Sequence, residues 1–206
     1  MSPSNRAGRG APLTLVIPAV LIAGYGLATL FAPGIGAPFL ADRFATLFAP
    51  TAAHLFFGPL ALAAGALQFS ARIRATRPVL HRRLGWLYVT SVLVSGIGGL
   101  LMAFVSDGGP VTHWGFGLLA VGWLTTTAAA LRAILRGDTA THEGWMRRSY
   151  AFCFGAVTLR ILLPLFLLAG LTFGTAYRIA SWASWLVNLA AVEWWLRRRP
   201  VAGSEA

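Results

Sequence analysis

The stretch PVLHRRLGW, residues 78–86, places a histidine and two arginines at the mouth of a long apolar run. The run continues to about residue 105, and as a helix it is long enough to cross the roughly 30 Å hydrocarbon core of a bilayer. Six such spans are predicted along the chain, at about 12–32, 52–70, 82–105, 113–132, 145–172 and 178–196. Because lipid offers no partner to free backbone groups, each span is predicted to be a helix. The fold class is therefore an all-α integral membrane protein with six transmembrane helices.

The composition agrees with a membrane protein. Of the 206 residues, 57% are hydrophobic and only 11% are charged, whereas soluble domains carry roughly 25% charged residues. We expect a single domain over residues 1–206, with helices two to five forming a four-helix core at 50–172 and helices one and six at its periphery. The first apolar stretch has the length of a span and no clear cleavage site follows it, so we interpret it as a helix rather than a signal peptide.

The arginines set the predicted orientation. All 17 basic residues are arginines, and 14 of them fall in the two tails and in the loops after spans two and four. By the positive-inside rule these segments are cytoplasmic, so both termini are predicted in the cytoplasm of a bacterial inner membrane. The net charge of +11 is explained by this topology, and we expect no nucleic-acid partner.

Four histidines open the four central spans. His54 and His113 begin spans two and four at the outer surface, and His81 and His142 begin spans three and five at the inner surface. The spacing repeats, with 27 residues from His54 to His81 and 29 from His113 to His142. At 1.5 Å of rise per residue the two levels lie on the order of 20 Å apart. The alternation predicts two depth-matched histidine pairs, one near each membrane surface.

A glycine follows three of the histidines by four residues. These glycines are Gly58, Gly85 and Gly117. Residues i and i+4 share a helix face, so a glycine there removes the side chain that would contact a flat ring lying against the helix. His142 departs from the pattern, because Met146 stands at its i+4 position.

Two neutral imidazoles on facing helices suit the axial positions of a haem iron. Zinc is less suited, because it takes four ligands, or three and water, often with cysteine or a carboxylate. Two pairs predict two haem groups, and an iron with both axial positions filled favours electron transfer over oxygen chemistry. The alternatives are histidines that bind protons or a transition metal in a transporter, and histidines that only pack in a non-catalytic subunit of a membrane complex.

Several arginines are candidates for binding haem propionates. Arg160 lies inside span five, about 27 Å along the helix from His142 at 1.5 Å per residue, and we hypothesise a salt bridge to a propionate of the outer haem. Pairing with backbone carbonyls or a neighbouring helix is the alternative. The arginines that flank the inner pair are candidates for the inner propionates, or are topology signals alone: Arg82, Arg83, Arg147 and Arg148.

The histidine order resembles that of the cytochrome b561 family over roughly residues 50–170. The stretch LHRRLG at 80–85 is similar to that family's leucine–histidine–x–tryptophan–leucine–glycine motif, with Arg83 in place of the tryptophan. The resemblance implies six helices and a transmembrane oxidoreductase with two b-type haems, held by His54 with His113 and by His81 with His142. Ascorbate is a common donor in that family, and a lysine takes part in its binding in some members. This chain has no lysine, so a quinol or another small reductant is an alternative donor.

Two longer segments resemble an uncharacterised family of predicted bacterial membrane proteins. They are GALQFSARIRATRPVLHRRLGWLYV at 65–89 and THEGWMRRSYAFCFGAVTLRILLPL at 141–165. That family brings no activity, so the haem hypothesis depends on the histidine pattern. We expect electrons to pass from a small reductant or quinol on one face of the membrane to an acceptor on the other face. The expected partners of the protein are membrane lipid and, as an alternative to a monomer, a second copy of the chain in a homodimer.

Overall fold

The computed structural model describes residues 10–32, 35 and 39–198, and this part of the chain is all α-helical apart from its connecting segments. In chain order the helices are α1 (Leu13–Phe31), α2 (Phe39–Thr46), α3 (Phe48–Gln68), α4 (Ala71–Thr76), α5 (Pro78–Ala103), α6 (Pro110–Leu135), α7 (Thr139–Leu168) and α8 (Phe173–Arg197). Below, the outer end of the bundle is the end that carries His54 and His113, and the inner end carries His81 and His142.

Five helices are long and apolar enough to cross a membrane, namely α1, α3, α5, α6 and α7. They correspond to the first five predicted spans. The sixth predicted span, 178–196, lies in α8, which has 25 residues but is not among the five, since charged and polar residues interrupt its apolar sequence. The chain is thus an all-α membrane protein with several apolar helices.

Helices α5, α6 and α7 start earlier than the predicted spans, because their first turns are polar or begin with proline. Pro78 and Pro110 are the first residues of α5 and α6, where the missing N–H costs nothing. The Asp138 side chain accepts a hydrogen bond from the Thr141 N–H and caps α7. The four histidines therefore lie inside their helices rather than at the first residue. The regular helical backbone on both sides sets the direction of each side chain.

Two short helices lie where the sequence analysis expected loops. At the outer end, α2 is held through Arg43, whose carbonyl oxygen accepts a hydrogen bond from the Thr51 hydroxyl at 3.3 Å. At the inner end, α4 is capped by Ser70, whose side chain accepts from the Ile73 N–H at 3.2 Å. Both segments are too short and too polar for a span, so hydropathy alone did not distinguish them from loops.

The first and last long helices belong to the packed bundle. Helix α1 packs on α3, and α8 packs on both α6 and α7. The buried apolar cluster includes Ala19 from α1 and Trp185 from α8. Asn188 of α8 donates to the Ala151 carbonyl of α7 at 3.2 Å and accepts from the Thr158 hydroxyl at 3.1 Å. The polar side chain of Asn188 in α8 thus contacts α7 rather than lipid, which the hydropathy of the sequence does not reveal.

Candidate functional site

A cavity of about 580 Å³ occupies the outer half of the bundle, between all six long helices. Its volume lies in the range of roughly 300–1,000 Å³ that is typical of ligand and cofactor sites. Its walls are mostly apolar, and glycine and alanine leave room at several points. The polar groups on the lining include His54, Arg160 and the pair of Arg43 and Asp107.

The His54 ring is fixed by α5. Its Nδ1 lies 2.9 Å from the Ser95 carbonyl oxygen and 3.1 Å from the Ser95 hydroxyl. A carbonyl oxygen only accepts, so Nδ1 carries the hydrogen and Nε2 keeps its lone pair. A Cβ added at Gly99 would lie 2.9 Å from this Nδ1, so glycine is needed for the ring to lie against α5. Gly58, predicted to leave space beside His54, lines the cavity.

His113 is turned differently. Its Nε2 lies 3.0 Å from the Ser106 carbonyl oxygen, which places the hydrogen on Nε2 and the lone pair on Nδ1. His113 is not among the residues that line the cavity in the described part of the chain, although Phe116 and Ala120, three and seven residues later, do line it. It therefore lies on the cavity-facing stripe of α6, at the outer rim. A Cβ at Gly117 would meet nothing within 4 Å, so this glycine borders open space.

The inner histidines, His81 and His142, lie at the same end of the bundle, on α5 and α7. The Nδ1 of His142 lies 2.9 Å from the Ala130 carbonyl oxygen, so it carries the hydrogen and Nε2 keeps its lone pair. The Nδ1 of His81 is buried without a hydrogen-bond partner among the described residues, as is Oε1 of Gln68. Gln68 donates to the His81 carbonyl at 2.9 Å. Buried polar atoms without protein partners are unusual, so these two atoms are candidates for contact with a ligand.

Gly85 lies beside the Gln68 side chain. A Cβ at this position would lie 3.1 Å from Nε2 of Gln68, a side chain that reaches across from the end of α3. That Gly85 leaves room for a flat ring beside His81 stays a prediction.

Arg160 lies on the cavity lining without a carboxylate partner among the described residues. Its Nη1 donates to the Ala156 carbonyl at 2.9 Å, and its guanidinium lies 5.5 Å from the centre of the Tyr25 ring. These are the backbone and neighbouring-helix contacts considered as the alternative to a propionate. They use only part of a guanidinium that has five N–H donors, so its charge remains available to an anion in the cavity.

The inner arginines differ in their contacts. Arg147 forms a salt bridge with Glu143 and lies 4.1 Å from the centre of the Trp195 ring. Arg148 donates from Nη2 to Glu193 at 3.0 Å, so Glu193 pairs with α7. The arginines Arg82 and Arg83 are exposed. Of the arginines predicted to hold inner propionates, Arg147 and Arg148 are thus already engaged with acids.

A closed ring of hydrogen bonds lies between the two histidine levels. The Trp123 indole N–H donates to the Tyr88 oxygen at 3.2 Å, and Tyr88 and Ser149 share a bond of 2.7 Å. Ser149 and Thr127 share a bond of 2.6 Å, and Thr127 donates to the Trp123 carbonyl at 2.7 Å. Indole nitrogen only donates and carbonyl oxygen only accepts. The direction of every bond is therefore fixed, and each hydroxyl hydrogen is committed.

Neither this ring of hydrogen bonds nor the ion pair of Arg43 and Asp107 at the outer end was predicted from the sequence. Tyr88 follows His81 by seven residues and Ser149 follows His142 by seven, so both lie about 10 Å along the same helix faces. That spacing could have predicted that Tyr88 and Ser149 face the same interior as the histidines. The ion pair of Arg43 and Asp107, at 3.1 Å, joins residues 64 positions apart, and no sequence pattern predicts it.

Within residues 10–32, 35 and 39–198, no three histidine, cysteine, aspartate or glutamate side chains cluster as a metal site. A metal held by protein ligands alone would need such a cluster.

Comparisons with known proteins agree with the membrane fold. The family model described as "Predicted membrane protein (DUF2306)" matches residues 51–196, which include all four histidines. No curated protein matches the chain, and no solved structure matches it. Since the family model covers most of the chain, the protein belongs to the DUF2306 family of predicted membrane proteins.

Proposed function

We propose that this protein transfers electrons across a membrane through two b-type haems, each held by two histidines. The observation that carries the proposal is His54, which lines a cavity of about 580 Å³ with its Nδ1 hydrogen bonded to a backbone carbonyl. Such a bond orients the ring and leaves Nε2 basic, which is how histidines that bind metals are held. Haem would supply one-electron iron chemistry, and the residues below would bind and orient it.

At the outer end, His54 and Arg160 fit a haem. Both line the cavity, and the guanidinium would attract a propionate in this apolar surrounding. His113 lies at the rim of the same cavity. To bind iron through Nε2 it would have to give up its hydrogen bond to Ser106. The fit of the outer site therefore depends on a rotation of the His113 ring.

At the inner end, His142 has the same arrangement as His54, with Nδ1 bonded to the Ala130 carbonyl. His81 lies nearby with a buried Nδ1 that lacks a partner. The exposed arginines of the first turns of α5, Arg82 and Arg83, are free of acidic partners among the described residues and would suit inner propionates. These features support an inner pair of His81 and His142.

Electrons would pass between the outer and inner haem sites through the hydrogen-bonded ring of Trp123, Tyr88, Ser149 and Thr127. Its hydrogen bonds hold the two aromatic side chains in one orientation. Electron tunnelling weakens less steeply through bonded and hydrogen-bonded atoms than through empty space. Because the Tyr88 hydrogen is donated to a serine hydroxyl, which is a poor base, we assign Tyr88 the role of a rigid bridge.

We further propose that α8 is a sixth span and that both termini lie in the cytoplasm. The burial of α8 against α6 and α7 and the ion pair between Glu193 and Arg148 lower the cost of its charges in a membrane. Most of the arginines lie in segments at the inner end, which the positive-inside rule places in the cytoplasm. A bacterial inner membrane fits this arrangement.

The resemblance to the cytochrome b561 family supports this assignment and the class of transmembrane oxidoreductase. We propose that a small reductant or quinol donates at one face and that an acceptor on the other face receives the electron. Without a lysine in the chain, a quinol is at least as suitable a donor as ascorbate.

A reduced-minus-oxidised spectrum tests the function. The purified protein should be red, with a b-type pyridine haemochrome and about two haems per chain, the number set by two bis-histidine sites. The variants His54→Ala and His113→Ala should lose the same spectral component, and His81→Ala and His142→Ala the other. A colourless protein from haem-sufficient cells would refute the proposal. Proton or metal flux into liposomes from such a protein would favour a transporter instead.

A further inference from the structure

A second site lies on the opposite end of the molecule from the cavity. A groove of about 240 Å³ runs between the end of α6 and the start of α7, at the inner end. Its lining comprises Ala129, Arg132, Ala133, Arg136, Asp138, Thr141 and Trp145. None of these residues takes part in the proposed electron transfer, so the inference below is independent of that function.

Two guanidinium groups face this groove from one side. Arg132 lies in the last turn of α6 and Arg136 directly follows the helix as its C-cap residue, so the two are four residues apart and lie on one side of the helix end. Both are exposed, and neither has a carboxylate within salt-bridge distance in the part of the chain that the structure describes. By contrast, Arg43, Arg147 and Arg148 are all paired with acids.

The acidic side chain in the groove, Asp138, is hydrogen bonded to the backbone. Asp138 accepts a hydrogen bond from the Thr141 N–H at 2.9 Å, and its bonds to Thr141 hold the pKa of this carboxyl below its ordinary value. It therefore stays ionised at neutral pH, and the groove carries two positive charges and one negative charge. The surplus of one positive charge matches a phosphodiester.

Trp145 is held at the groove by its neighbours. The guanidinium of Arg148 lies 4.9 Å from the centre of the Trp145 ring, and Arg148 is itself fixed by Glu193. Tryptophan favours the depth of lipid headgroups. Beside the groove, Ile134 and Leu135 are exposed, which suits acyl chains rather than water.

We propose that this groove binds the phosphate of an anionic phospholipid. Arg132 and Arg136 donate to its phosphate oxygens, as guanidinium groups do in charge-assisted pairs. The acyl chains lie along the apolar surface that α6 and α7 present to the membrane. Basic pockets between membrane helices at the arginine-rich end of a bundle are known to select anionic headgroups.

The experiment measures lipid binding to the full chain in detergent. Phosphatidylglycerol and phosphatidylcholine with the same acyl chains are compared by native mass spectrometry. Phosphatidylglycerol should bind with clear preference, and Arg132→Gln/Arg136→Gln should weaken it roughly 30-fold, the effect of two lost charges. The matched control is Arg72→Gln/Arg77→Gln, which removes two exposed arginines at the same end and should leave the affinity close to that of the wild type.

A second variant tests the acid of the groove. Asp138→Asn removes its negative charge and keeps a good helix cap, so phosphatidylglycerol should bind more tightly. Equal losses in the two arginine double variants would show diffuse surface attraction and overturn the site, as would equal binding of the two lipids. Displacement of the lipid by inorganic phosphate alone would show that the ligand is a soluble anion, which would also overturn the proposal.

Discussion

The Nδ1 atom of His54 lies 2.9 Å from the carbonyl oxygen of Ser95, on a helix 41 residues away in sequence. The same relationship joins His142 to Ala130 at 2.9 Å. In both cases a rigid helical backbone sets the tautomer, because a carbonyl oxygen can only accept. One histidine at each level is thus held with Nε2 free to bind a metal, which makes these two residues the firmest part of the candidate site.

Gly99→Ala should disturb the outer site. The added Cβ would lie 2.9 Å from Nδ1 and 3.1 Å from Cε1 of His54, closer than carbon atoms normally approach. Such overpacking costs about 1–3 kcal/mol, and here it would push the ring away from its carbonyl partner. We expect haem content to fall toward one per chain, measured by pyridine haemochrome.

Gly24→Ala is the control for that variant, at an exposed glycine of α1 outside the proposed sites. Its Cβ would meet nothing within 4 Å among the described residues, so haem content should stay at the wild-type value. Equal effects of the two substitutions would contradict the placement of the His54 ring against Gly99.

Arg160→Gln should lower the midpoint potential of the outer haem. A positive charge near the iron disfavours the ferric state, and its removal stabilises that state. We expect a fall of roughly 60 mV, which corresponds to a tenfold change for a one-electron couple, in a potentiometric titration. Arg160→Lys keeps the charge and should retain most of the potential. Unchanged haem content and potentials in Arg160→Gln would exclude a propionate contact.

Tyr88→Phe should destabilise the bundle. The change leaves the buried Trp123 N–H without its acceptor and removes one of the two hydrogen bonds of Ser149, which keeps its bond to Thr127. Unsatisfied buried groups cost about 1–3 kcal/mol each, which thermal unfolding in detergent would detect. Thr90→Val is the matched control, since Thr90 is exposed and bonds only to carbonyls of its own helix. A Tyr88→Phe protein as stable as the control would contradict the ring.

Cysteine labelling from either side of the membrane should reveal whether α8 spans it. Single cysteines are introduced by Ala75→Cys, Gly174→Cys and Arg198→Cys, all at exposed positions. The native Cys153 is buried and should stay unlabelled. If α8 crosses, positions 75 and 198 react from one side and position 174 from the other. Reaction of positions 174 and 198 from the same side would remove α8 from the set of spans.

Much of the architecture follows from local pattern. Long apolar runs must form helices in lipid, and the structure confirms five of them as helices long enough to span a membrane. Helix α8, predicted as a sixth span, is not among these five, and polar side chains of α8 such as Asn188 are satisfied by α7. Hydropathy did not predict α2 and α4, because short polar helices have no hydropathy signature.

The sequence by itself determined that this is a helical membrane protein with one histidine near the start of each of four consecutive long helices, because burial in lipid and helical periodicity act on neighbouring residues. Only the tertiary structure decided which ring nitrogen of His54 carries the hydrogen, that Gly85 accommodates Gln68, and that Glu193 pairs with Arg148. These outcomes depend on which atoms of distant helices approach within hydrogen-bond or van der Waals distance. That depends on helix rotation and packing across the bundle, which no local pattern specifies.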